Sequence, residues 1–420
     1  MQKIVHLLLG NDIELTGVDY IDREGFFVAA PETSKIKNLD ELPSPYLSGR
    51  LDEFFDGKLT PIIQTNRGCP FTCTFCVEGT DFYSKVSFFS RNKIDNELIY
   101  IAKKMNEKRS DYKRNDLFIA DSNFGMYPAD LKTCHTLQHC REAYKWPDYI
   151  NVATGKNAKK RVLEAAKIID GALRLSGSVQ SLDPEVLENI KRTNIDVGQL
   201  YELGLEAGKT GANTYSEVIL GLPGDSKDGH LNTLKTVIDA GFNTIQPFQL
   251  MILPGTPMSA VSSKESFDLQ TKFRVLPRCY GTYPFLHETI VAAEIEEVCV
   301  GCARLSFSDY LECRKFHLTI AAFYNDSVFG SFLRLIKSLD LSVFDWLEKI
   351  NNSTLMSELS DIYDSFLDFT ESELWETKED LRGFCSKQET KFKGIKGVSP
   401  GKVNNQSTSG LFLFNHCIPA

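Results

Sequence analysis

Gly68-Cys69-Pro70-Phe71-Thr72-Cys73-Thr74-Phe75-Cys76 sets three thiols within eight residues in a Cys-x3-Cys-x2-Cys pattern. Thiolates are soft ligands, and three from one short loop suit either of two metal chemistries. A structural zinc site would need a fourth ligand; neither a His nor a fourth Cys lies inside the loop, so that ligand would have to come from elsewhere in the fold. A [4Fe–4S] cube would be held at three corners, leaving one iron open to a small molecule. Buried free thiols are the third reading, and the cube is the one that the spacing and the position in the chain favour. A looser set, Cys299-Val300-Gly301-Cys302 with Cys313, is weak evidence for an auxiliary cluster; buried thiols are its simpler reading. The His residues are scattered without a metal spacing, and His230, His287 and Glu288 stand only as candidates to reach a substrate pocket.

The elements that must position the triad follow a regular alternation from about residue 60. Short apolar runs rich in β-branched and aromatic residues are each followed by a segment of helical period. Strands are expected near 61–65, 116–121, 149–153, 171–176, 213–220 and 243–252, with helices near 92–107, 128–145, 157–169, 183–192, 196–209 and 225–240. Asp183-Pro184 supplies an N-cap followed by Pro at the first helical position, and Asp225 is the expected cap of the last of these helices. Right-handed crossovers put every helix on the same outer face of a parallel sheet, which then curls. Such a sheet curls into an open or closed barrel, so the fold class is α/β, a (βα)6 TIM-type barrel with a mainly helical C-terminal region. In such barrels reactive groups sit at the C-terminal ends of the strands, and the triad directly follows the first one.

Other strand ends carry polar residues too. The second ends in Asp121-Ser122-Asn123, which also suits an ordinary strand-to-helix turn. The fourth ends in Ser176-Gly177-Ser178-Val179-Gln180-Ser181, with Arg192 twelve residues after Gln180. Glu217 stands inside the otherwise apolar fifth strand, where a buried carboxylate needs a partner or a ligand. Gly221 and Gly224 beyond it would let the backbone pass close to a ligand.

The chain has 420 residues, 42% hydrophobic and 25% charged, enough for a full-sized core with room for an accessory region, which excludes disorder as the general answer. A formal charge of −9 disfavours a broad nucleic-acid surface, so nucleic acid is not the expected partner and a small molecule is. Eleven cysteines are too sparse for a disulfide scaffold, and no apolar stretch reaches the roughly 20 residues of a membrane span. With no signal-peptide pattern in the short apolar run Met1–Gly10, the expectation is a cytoplasmic protein with reduced thiols. Four segments are expected: 1–55, an N-terminal segment with the Pro-rich stretch Leu42-Pro43-Ser44-Pro45; 56–275, the barrel; 276–385, helical, including Ser327 to Leu347 and Leu355 to Phe369; and 386–420, a polar tail expected to be disordered.

The triad and the strand before it, Ile62-Ile63-Gln64-Thr65-Asn66-Arg67-Gly68-Cys69, resemble the radical S-adenosylmethionine (SAM) superfamily, more narrowly the branch whose members usually carry an N-terminal cobalamin-binding domain. The resemblance implies a six-fold βα partial barrel and a [4Fe–4S] cluster on Cys69, Cys73 and Cys76. It further implies that the open iron is chelated by SAM, which one electron cleaves to methionine and a 5′-deoxyadenosyl radical. Carried over residue by residue, it implies that the second strand end, with Asp121 and Asn123, receives the SAM amino group, although the family normally has a Gly-rich segment there. Gln180, beside Ser181, and Arg192 match SAM contacts of the coproporphyrinogen oxidase branch, Arg192 as a two-pronged clamp for the carboxylate. Glu217 would bind the ribose hydroxyls, while Phe75 and the sixth strand with Leu250 would wall the adenine; Met251 and Ile252 read as core. The cluster's electron would come from a flavodoxin- or ferredoxin-type donor. Residues 1–55 resemble the tail of a cobalamin domain plus linker. No Asp-x-His-x-x-Gly pattern occurs, so cobalamin is possible but not supported by this chain. The leading expectation is hydrogen abstraction from a small molecule. Methyl transfer with cobalamin from a missing or separate domain is the alternative, and a cluster-bearing electron carrier or an inactive truncated protein is the reading from another class.

Overall fold

The computed structural model describes residues 19–22, 24–29, 36–107, 114–155, 157–210, 213–325, 328–353 and 357–387. The expectations for Met1–Gly10 and for most of the tail lie outside these residues, as does Leu355. The chain divides into two compact units, Met1–Pro43 and Ser44–Ala420. In the first, Tyr20–Ile21 pairs antiparallel with Phe27–Val28, and the Asn38 side chain caps a 3-10 turn over Leu39–Glu41. The division falls inside the Pro-rich stretch rather than after residue 55. Tyr46 and Phe55 are buried in the main core, and the Tyr46 hydroxyl bonds the backbone of Ile62.

The second unit is built on six parallel strands: β1 (Ile62–Ile63), β2 (Asp116–Phe124), β3 (Tyr149–Thr154), β4 (Leu175–Ser176), β5 (Thr214–Leu220) and β6 (Thr244–Gln249). Ladders join β1 to β2 to β3 and β4 to β5 to β6. Backbone bonds from Ile150 to Ala172 and from Arg174 to Ile150 link β3 to the segment entering β4. The strands thus run in chain order as a curled sheet, an open partial barrel. Between them lie α1 (Arg91–Glu107), α2 (Pro128–Tyr144), α3 (Lys159–Ile168), α4 (Pro184–Asn189) with α5 (Val197–Thr210), and α6 (Lys227–Asp239). Each strand and helix expected from residue 61 to 252 is present, with ends shifted by a few residues. The inward stripe of α1, formed by Ile94, Leu98, Ile101, Ala102 and Met105, shows why: apolar residues recur one and two turns apart and are buried in the main core.

One cap differs from expectation. Ser226, not Asp225, caps α6 by accepting from Gly229 N–H, while Asp225 turns inward and accepts from the Gly221 and Ser226 N–H groups. Burial pushes the Asp225 carboxyl up to about 7 and its neighbour His230 down to about 3. Below about pH 7 the two side chains, 3.8 Å apart, are therefore a neutral acid beside a neutral imidazole rather than an ion pair. His230 Nε2 shares a hydrogen bond with His317 Nε2 at 2.8 Å. An unfolded Asp titrates near 3.9, so the native state keeps a proton that the unfolded chain loses; this contribution to stability is complete below about pH 4 and lost as pH rises through about 7. Asp225→Asn is expected to flatten the decline in urea midpoint between about pH 4 and 7 relative to the unmodified protein. An unchanged slope would place that pH dependence on other groups.

The region from 276 on is not helical at its start. Two long strands, β7 (Gln270–Phe285) and β8 (Glu288–Gly301), form an antiparallel hairpin turning at Leu286, which takes φ 55°. The run Thr289-Ile290-Val291 and the alternation Ile295, Val298, Val300 are strand chemistry; the acids among them mimic helical spacing, and the pairing across the hairpin decides. The base of β8 also adds to the barrel edge, since Cys299 N–H donates to Leu250 C=O and Ile252 N–H to Glu297 C=O. Buried Arg274 locks this base, bonding Glu296 (2.6 Å), Glu373 (2.8 Å) and Gln249 at the end of β6 (3.1 Å). Helices follow as α7 (Phe307–Phe323), α8 (Gly330–Ser338), α9 (Val343–Asn351), α10 (Ser357–Ser372) and α11 (Lys378–Lys387). Among the described residues no helix is long and apolar enough to cross a membrane.

Candidate active site

The triad loop leaves β1 and is fixed at several points before any ligand is considered. Cys69 N–H donates to Tyr83 C=O, Thr74 N–H to Ile190 C=O, Cys76 N–H to Cys73 C=O and Gly79 N–H to Cys76 C=O. Gly68 enters the loop at φ 112°, where a Cβ would lie 2.7 Å from Lys85 O. Asp121 holds the preceding turn: its Oδ1 accepts from Thr65 N–H (2.8 Å) and Asn66 N–H (3.3 Å), and its Oδ2 from Asn66 Nδ2 (2.9 Å) and the Thr65 hydroxyl. Burial, opposed by these bonds, raises its carboxyl to about 6.

Cys69, Cys73 and Cys76 face a cavity of about 190 Å³ at the C-terminal mouth of the barrel. Phe75, Asn123, Gln180, Arg192 and Glu217 line the same cavity, so eight residues separated by up to 148 positions in the sequence meet there. Asn123 Nδ2 donates to Cys69 Sγ at 3.3 Å, and its Oδ1 is buried without a partner among the described residues. Gln180 adopts φ 63°, uncommon for a residue with a side chain, and its buried Oε1 is likewise unpartnered. Arg192 is anchored by Nε to Asn194 Oδ1 (2.8 Å) and by Nη2 to Ser178 C=O (2.5 Å). Its Nη1 is buried without a hydrogen-bond partner, and the Cys73 thiol lies beside the guanidinium. Burial lowers the guanidinium from its ordinary range, while Cys73, Glu217 and Cys76 oppose that shift. An orphaned donor and two orphaned acceptors around three thiols are the donor set that a cluster with a zwitterionic ligand would satisfy. Among the described residues no three His, Cys, Asp or Glu side chains converge on the position of a single metal ion.

Three expected site residues lie elsewhere. Asp121 spends its carboxylate on Thr65 and Asn66, as described. Ser181 does not line the cavity; its Oγ accepts from Asp183 N–H at the start of α4, and its carbonyl from Asn194 Nδ2. Leu250 is core: packed with Val186, Leu222 and Cys299, it pairs its N–H with Leu220 and its C=O with Cys299. Gly221 faces Cys299 rather than the cavity. His230 is in the buried pair above, and His287 and Glu288 are exposed at the hairpin turn. The second thiol set is occupied as donors, Cys299 to Gly301 C=O and Cys302 to Asp225 C=O, and burial raises all three thiols including Cys313.

The sequence reading passed over Glu78, Lys159 and Asn194, all on the cavity wall. Asn194 is a brace, joining Arg192 to the Val179 and Ser181 carbonyls. Its place two residues after Arg192 is the one signal that could have found it.

An open parallel (βα)6 barrel with a Cys-x3-Cys-x2-Cys loop at its mouth is the arrangement of the radical SAM superfamily, and the proteins this chain is similar to are radical SAM enzymes. Within it, the similarity is to cobalamin-dependent methyltransferases. The chain is 31% identical over 254 residues to the cobalamin-dependent radical SAM methyltransferase TokK of Streptomyces tokunonensis, an alignment covering 58% of this chain and 36% of TokK. It is 30% identical over 295 residues to the 2-(S-pantetheinyl)-carbapenam-3-carboxylate methyltransferase of Streptantibioticus cattleyicolor, covering 68% of this chain and 41% of that enzyme. The chain thus matches less than half the length of these curated relatives. The structure of the cobalamin-dependent SAM radical enzyme OxsB with aqua-cobalamin bound shares the fold, with a TM-score of 0.51 and 14% identity over 98% of this chain and 60% of that one. No family model matches the chain.

Proposed function

We propose that this chain cleaves SAM reductively and applies the resulting radical to a small-molecule substrate. The observation that carries the reading is the convergence of Cys69, Cys73 and Cys76 with the unsatisfied polar atoms of Asn123, Gln180 and Arg192 in one cavity. A bound cluster would deliver one electron to the sulfonium of SAM, giving methionine and a 5′-deoxyadenosyl radical. The three cysteines hold the cluster and leave one iron free. Arg192, fixed by Asn194 and Ser178, presents Nη1 to a carboxylate; Gln180 and Asn123 offer acceptors to ammonium or hydroxyl hydrogens; Glu217 supplies a carboxylate for ribose hydroxyls, and Phe75 an aromatic wall. Walling by Phe75, Phe71 and Ile195 keeps water from the reacting carbon.

Methyl transfer is the second reading, favoured by the activities in the names of both curated relatives. It requires cobalamin, and the electron in either case is assigned to a flavodoxin- or ferredoxin-type donor. The test is anaerobic reconstitution, then incubation with SAM and dithionite, with and without added cobalamin and a carbapenam carboxylate. 5′-Deoxyadenosine without cobalamin supports radical abstraction, and methylated product only with cobalamin supports methyl transfer. A cluster-loaded protein that yields neither would remove the enzyme reading and leave an electron carrier.

A further inference from the structure

Lys159 is the first residue of α3, just beyond the C-terminal end of β3, and its side chain lines the cavity. Its Nζ reaches the Ser176 carbonyl at 3.5 Å, a long contact for an ammonium group. Among the described residues, the charge that acts on it is the Arg192 guanidinium, a like charge. Of the carboxylates on the cavity wall, Glu78 accepts from the Ser122 hydroxyl and Glu217 acts on Arg192, and neither is among the charges that act on Lys159. Burial and Arg192 together bring the Lys159 ammonium down to about 8. A half-buried cation next to another cation is disfavoured unless an anion comes to it. Arg192 lies on the cluster side of the cavity, beside Cys73, and Lys159 lines the same cavity within reach of its charge.

We propose that Lys159 is a second carboxylate-binding cation of this site, gripping with Arg192 Nη1 the carboxylate at the methionine end of SAM. The inference rests on the SAM reading above. One carboxylate has two oxygens, one for each cation, and its arrival would bring an opposite charge to Lys159, on which among the described residues only a like charge acts.

The test measures equilibrium binding of SAM and of decarboxylated SAM to the anaerobically reconstituted protein, its Lys159→Met variant and its Lys159→Arg variant. Methionine keeps the apolar stem and removes the charge. SAM is expected to bind Lys159→Met about ten- to a hundredfold more weakly, the worth of one charge-assisted hydrogen bond. Decarboxylated SAM should bind the unmodified protein and Lys159→Met within about twofold of each other, and Lys159→Arg should recover part of the affinity for SAM. Equal weakening of both ligands would make Lys159 a packing residue and overturn the proposal. Unchanged SAM affinity in Lys159→Met would overturn it too, moving the counter-anion to a substrate. If the unmodified, cluster-loaded protein binds neither ligand, the SAM reading itself fails, a result distinct from either of these.

Discussion

Cys73→Ala is expected to leave a folded protein that holds little or no iron–sulfur cluster and cleaves SAM at least about a thousandfold more slowly, a barrier higher by about 4 kcal/mol. Each thiolate of the loop would hold a different iron, and with three protein ligands in all, none is redundant. Cys73 is buried, and its carbonyl accepts the N–H of Cys76, a bond that alanine preserves. The thiol also lies against Arg192, whose remaining bonds to Asn194 and Ser178 do not involve it. The loss should therefore be confined to the cluster. Iron and sulfide analysis after anaerobic reconstitution, the 5′-deoxyadenosine rate under dithionite and the urea midpoint together separate the outcomes. Undiminished SAM cleavage by Cys73→Ala would sink the assignment of the triad; a collapsed urea midpoint would mean that the thiol is needed for packing instead.

The barrel was legible in the sequence because parallel strands and their crossover helices carry opposite periodicities, which alternate without ambiguity from Ile62 to Gln249. The triad was legible from spacing. Asn123 and Gln180 are legible at strand ends, Glu217 within a strand and Arg192 at the far end of the short helix after Gln180, and the cavity contains all four. What escaped reading depended on contacts that local sequence does not encode. Asp121 looks like a ligand residue at a strand end, but Thr65 and Asn66, over fifty positions earlier, present their N–H groups to it. Leu250 lies on the right strand and points into the core, because the hairpin base closes over that edge. The hairpin itself was misread because Glu294, Glu296 and Glu297 interrupt its alternation; two of them are satisfied across the fold, by Arg274 and by Lys264 with Thr271. Lys159 sits in a run, Lys159-Lys160-Arg161, that reads as the solvated start of a helix, and only the closeness of β3 to β4 turns its first member into the cavity.

Gly79→Ala is expected to impair the site almost as severely as loss of a ligand, although residue 79 carries no chemistry. A Cβ there would lie 2.2 Å from the Cys73 carbonyl oxygen and 2.9 Å from the Cys73 nitrogen. Both are backbone atoms, so no side chain can swing aside and the relief must come from moving Cys73 or the turn over Val77–Gly79. That turn is bonded to Cys76 through Gly79 N–H, and Cys76 to Cys73 C=O, so either movement shifts two of the three thiols relative to Cys69. Overpacking of this kind costs about 1–3 kcal/mol of stability, which a barrel of this size can absorb. A displacement near 1 Å at a reacting centre can lower a rate by about a hundredfold, which is the fall expected for SAM cleavage, with reduced iron content. Gly383→Ala on α11 is the matched control, since a Cβ there meets nothing within 4 Å; it should leave iron content and rate unchanged. Normal iron content and normal cleavage in Gly79→Ala would show that the loop tolerates the shift, and that the tight approach of Gly79 to Cys73 does not fix where the thiols sit.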